Sequence, residues 1–94
     1  YEIVLARVPD TPERLATAIV AFVQRLRAGE LTKVPGVAET IDWAAALMAL
    51  GAGRLTAEVI DETIGVVLKY EEDVRAIRGA TAREYLEETA VGAA

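Results

Sequence analysis

The chain has neither cysteine nor histidine. Without thiols there is no disulfide, no thiolate nucleophile and no cysteine-based zinc site, a pattern that fits a cytoplasmic protein. Without imidazole the commonest general base and the commonest metal ligand are missing as well, so hydrolytic or metal chemistry would have to run on carboxylates alone. Cations are in the minority. Ten Lys and Arg face fifteen Asp and Glu, a formal net charge of −5 and a pI near 4.7, which argues against unaided binding to nucleic acid or an anionic membrane. The longest uncharged run, Trp43 to Gly53, falls well short of the ~20 residues that span a bilayer, and no signal peptide opens the chain. A phosphate-cradling Gly-x-x-x-x-Gly-Lys-Ser/Thr loop is also absent, so this stretch alone should not hydrolyse ATP.

What is present is one very apolar segment. From Val34 to Leu50 the chain reads Val-Pro-Gly-Val-Ala-Glu-Thr-Ile-Asp-Trp-Ala-Ala-Ala-Leu-Met-Ala-Leu. Pro35 and Gly36 break what precedes, strong helix formers follow, and a central helix is expected from about Ala38 or Glu39 to the Gly51/Gly53 turn. Its only charges, Glu39 and Asp42, lie in the first turn, where free N–H groups and the helix dipole favour carboxylates. A helix apolar on every side has to be covered, so the flanking segments read as its wrapping.

Before it, Tyr1 to Arg7 suits either a short strand or the end of a helix, and Val8-Pro9-Asp10 is a turn. Thr11 and Pro12 form a start signal, with the Thr hydroxyl as cap. Leu15, Ala18, Ile19, Phe22, Val23 and Leu26 then recur on one helical face, and Gly29 is the expected stop. After it, Thr56 caps a long helix running to Gly79, with Ile60, Ile64, Val67, Val74 and Ile77 on one stripe. Gly65 inside that stripe suggests the close approach of another helix, against Trp43. A short helix is expected around Arg83 to Glu88 and a frayed end at Val91 to Ala94. The fold class is all-α: a small helical bundle of three main helices plus one or two short flanking ones, with residues 1–79 as the domain and 80–94 as a partly helical or frayed C-terminal extension.

The polar clusters have ordinary explanations. Glu71-Glu72-Asp73, Asp61 with Glu62, and Glu84 with Glu87 and Glu88 are expected to be solvated helix faces, since carboxylates adjacent on a helix point in different directions. Trp43 is expected in the core.

In the stretch from Val34 to Leu47 the sequence resembles the C-terminal helical lid of MoxR-type AAA+ ATPases, particularly the branch associated with carbon monoxide dehydrogenase maturation. Arg7-Val-Pro-Asp, Ala21-Phe-Val-Gln-Arg-Leu-Arg and Leu55 to Val74 occur in the same order and at similar spacing, so the likeness covers about Val4 to Gly79. The resemblance implies a lid that closes over ATP and Mg held by a separate AAA+ core domain. It also implies a ring, often hexameric, that couples hydrolysis to chaperone-like assembly or metal-cofactor maturation beside a von Willebrand factor A domain protein. The chain begins with Tyr1, which fits a piece of a longer protein. Related lids place a sensor 2 arginine at the start of the central helix, and aligned on Gly36 that position is Thr40. Gly36, Val37 and Thr40 are thus the expected nucleotide-proximal residues, with no catalytic residue and no metal ligand of the chain's own. Thr40 carries no charge, so neutralisation of the phosphate would come from elsewhere, Arg14 or a neighbouring subunit being candidates.

Two other functions compete with the lid. A free-standing helical interaction module would use the apolar central helix as its surface. A carboxylate enzyme would require an acidic pair buried in a cleft with a raised pKa.

Overall fold

A computed structural model describes residues 2–29 and 31–93, with side chains as far as residue 89. Among the described residues there are six helices: α1 (Glu2–Arg7), α2 (Glu13–Ala28), α3 (Val37–Ala49), α4 (Ala57–Val67), α5 (Glu71–Ile77) and α6 (Ala80–Ala93). The protein is an all-α bundle. α3 pairs with α4, α2 lies between α3 and α6, α1 rests on α2 and α3, and α5 bridges α4 and α6. None of these helices is long and apolar enough to cross a membrane.

The stripe on α2 becomes the centre of the core. Leu15, Ile19, Phe22 and Leu26 are completely buried, Val23 nearly so, and Ala18 sits at the margin. The start of α2 differs from the expected cap. Pro12 occupies the cap position with extended backbone and no side chain caps the helix. Thr11 is instead turned inward by the bend after α1, its N–H donating to the Val8 carbonyl at 3.0 Å, and its buried hydroxyl has no partner among the described residues.

α3 begins one residue before the expected start, at Val37, and closes as anticipated at Gly51. There the N–H of Gly51 donates to Met48 and that of Ala52 to Leu47, both at 3.0 Å, with Gly51 at φ +74°. This is the Schellman arrangement, which needs a left-handed residue at that position. The expected enclosure of α3 on all sides is not what forms. Thr40, Trp43, Ala44 and Leu47 face the core, whereas Ala38, Asp42, Ala45 and Ala49 are exposed. Three of these four are alanines, whose methyl groups offer little area to hide, and the fourth is a charged residue at home in water.

The long helix expected between Thr56 and Gly79 is two helices. Leu68 adopts extended backbone (φ −108°, ψ 128°), and the change of direction buries both Val67 and Leu68, which adjacent positions on a continuous helix would point about 100° apart. The Gly65 expectation is also corrected. Gly65 is exposed, and a Cβ there would meet nothing within 4 Å, while Trp43 packs on Phe22 with ring centroids 5.6 Å apart.

α6 packs on α2, α4 and α5. Gly79, at φ +85°, turns the chain and donates its N–H to Asp61 Oδ1 at 3.1 Å. Ala82 is buried in the core, Tyr85 lies 6.2 Å from the Phe22 ring, and the Arg25 guanidinium sits 3.9 Å over the Tyr85 ring while pairing with Glu88. The frayed end expected at Val91 to Ala94 is not what forms as far as Ala93, up to which α6 is helical; Ala94 lies outside the described residues.

Candidate functional site

The opening of α3 is where the chain leaves an irregular connection and enters a helix with its N–H groups forward. Gly36 adopts extended backbone and donates its N–H to Glu39 Oε1 at 2.8 Å. The Gly36 N–H, more than any other group, holds the Glu39 carboxyl below its ordinary value. The Thr40 hydroxyl donates to the Gly36 carbonyl at 2.8 Å, a carbonyl that also accepts the Thr40 N–H at 3.1 Å. Thr40 therefore spends its only hydroxyl proton on its own helix and keeps lone pairs free to accept.

Beside this turn lies a half-open cavity of about 170 Å³ between α1, α2 and the start of α3. Gly36, Val37 and Thr40 all line it, so the three residues singled out from the sequence come together at one place. Ile3, Val20, Val23 and Ile41 make the wall apolar, and Gln24 and Arg27 contribute the polar groups. Of these lining residues, Ile3 and Val37 are also exposed to solvent. Arg27 is the charged residue of this lining. Arg14 is exposed on α2 and is not part of the wall. Nothing in the spacing on α2 alone shows that α1 and α3 converge beside Arg27.

The connection that leads into the turn is held by a residue read from the sequence as solvated. Asp73, at the first turn of α5, is only 3% exposed. Its Oδ1 accepts the N–H of Thr32 at 2.9 Å and its Oδ2 that of Lys33 at 3.1 Å. These bonds, Thr32 foremost, keep the Asp73 carboxyl below its usual range. Its neighbours Glu71 and Glu72 are exposed, as expected. Glu39 and Asp73 are held ionised as acceptors, the reverse of what a general acid requires. Among the described residues no three acidic groups are arranged to hold a metal ion.

Trp43 is fully buried, its Nε1–H donating to Thr63 Oγ1 at 2.7 Å. That Thr hydroxyl passes its proton to the Val59 carbonyl at 2.7 Å. Trp43 is thus a core residue, and the α3 surface available to anything else is the alanine face and the entrance. Comparison with protein families, curated proteins and solved structures finds no significant match.

Proposed function

We propose that this chain is the C-terminal helical lid of a MoxR-type AAA+ ATPase, closing over ATP and Mg bound by a separate core domain and coupling hydrolysis to assembly or metal-cofactor maturation. The observation that carries the reading is the convergence of Gly36, Val37 and Thr40 with Arg27 on one open cavity at the entrance of the central helix. Helix N-termini suit phosphate, and a guanidinium is the side chain best matched to it. The Glu39 carboxylate already occupies the Gly36 N–H, and the cations that act on it are Lys69 and Lys33, so in this reading Arg27 is left to meet the phosphate. Partners in this reading are the core domain, neighbouring subunits of a ring and a von Willebrand factor A domain protein. The test is the coding sequence upstream of Tyr1, where a Walker A loop is expected and its absence overturns the reading.

A second reading, a free-standing helical interaction module, draws on a different observation. Val34 before α3, Val37 at its start and Leu50 at its end are 43%, 54% and 55% exposed, and with the exposed alanines of α3 they are the apolar surface this reading would offer a partner. An upstream Walker loop decides between the two.

A further inference from the structure

A carboxylate that is 3% exposed and gives one oxygen to each of two consecutive backbone N–H groups, Thr32 at 2.9 Å and Lys33 at 3.1 Å, is more than a helix-face acid. The donors are some forty residues away in sequence and belong to the connection that delivers Val34, Pro35 and Gly36 to α3. That connection has no helix or strand of its own. Its backbone is pinned at one end by Asp73 and at the other by the Gly36 N–H on Glu39, with Pro35 buried between them. A fixed φ at Pro35 leaves few soft torsions between the two pins. We propose that Asp73 is a positioning residue for the α3 entrance, a two-pronged latch that makes α5 and the cavity rim at Gly36, Val37 and Thr40 move as one body. The break between α4 and α5 is what makes the reach possible, because it turns the first turn of α5 toward the connection. Occupancy of the cavity is then felt at α5, which is not part of its lining. This inference needs only the bundle and stands whether or not the chain serves an ATPase.

Amide hydrogen exchange and ¹H–¹⁵N spectra of Asp73→Asn test it. The Asn side chain keeps one acceptor and turns an N–H₂ toward the other donor. The expected result is exchange at Thr32 and Lys33 accelerated by ~10-fold or more beyond whatever acceleration the core amide of Ile64 in α4 shows, with shift changes running on to Gly36, Val37 and Thr40. Changes that stop at Lys33 overturn the proposal. So does uniform acceleration that includes Ile64, since that marks a general loss of stability. Glu72→Gln is the control: that carboxylate reaches only the Thr32 hydroxyl, at 3.4 Å, and the same pattern in this variant would remove the role from Asp73. Should the Asn variant not fold, scalar couplings across the hydrogen bonds from the Thr32 and Lys33 amides to the Asp73 carboxyl carbon read the latch in the wild-type chain. Their absence overturns it as well.

Discussion

Two side chains decide the character of the core. Trp43 has no exposed surface, stacks at a tilt on Phe22 and has its single donor satisfied by Thr63. Trp43→Ala removes the largest buried side chain from between α2, α3 and α4, and should destabilise the fold by ~3 to 5 kcal/mol, read by chemical denaturation. Thr63→Val is the subtler experiment. It preserves shape and removes the acceptor, leaving a buried indole N–H alone, and the expected loss is ~1 to 3 kcal/mol with little change in helix content by circular dichroism. The two substitutions separate packing from polar satisfaction at one site. A Val variant as stable as the wild type would mean that the indole N–H finds water, and that the Trp43 pocket is less dry than the packing indicates.

At the scale of helices, the two glycines of the α3–α4 hairpin make opposite predictions. Gly51 ends α3 at φ +74°, where a Cβ clashes with its own backbone although nothing else lies within 4 Å. Gly51→Ala should cost ~1 to 2 kcal/mol. Gly65 lies inside α4 with ordinary helical backbone and open space around it, so Gly65→Ala should stabilise by up to ~1 kcal/mol. Thermal melts of both, with midpoints moving in opposite directions, check the pair. The contrast also marks what was legible beforehand. The stop at Gly51 and the apolar stripe of α2 follow from local chemistry and were readable from residue types alone. The break at Leu68 was not, since neither Gly nor Pro stands there; the gain comes from burying Leu68 and from the reach of Asp73, both tertiary. The same holds for α6, whose hold on the bundle depends on Arg25, Tyr85 and Glu88 meeting across sixty residues of chain. The three residues chosen for the entrance line one cavity, but Arg27 and the role of Asp73 required four helices and a loop to be seen together.

For the molecule as a whole, charge sets the dependence on pH. Two carboxylates, Glu39 and Asp73, are held below their ordinary values because each accepts backbone N–H groups when folded and water when unfolded. The unfolded chain therefore takes up these protons first on acidification. Their contribution is fully present above the unfolded carboxylate range, about pH 4 to 5, and is lost as pH falls through the lower folded values. Net charge works in the same direction at the acid end: below a pI of about 4.7 the Lys and Arg residues lose their acidic counterweight and repel one another. Stability should be nearly flat from neutrality down to about pH 5 and then fall steeply. The connection into α3 should loosen first, because both of its pins are carboxylates. Asp73→Asn removes one titrating pin, so its stability at neutral pH should be lower and its decline on acidification shallower, the two curves drawing together as pH falls below the unfolded Asp range. Chemical denaturation of both chains at intervals between pH 7 and pH 3 checks this. Parallel curves would mean that Asp73 has the same proton affinity folded and unfolded, and that its two backbone bonds do not hold in solution.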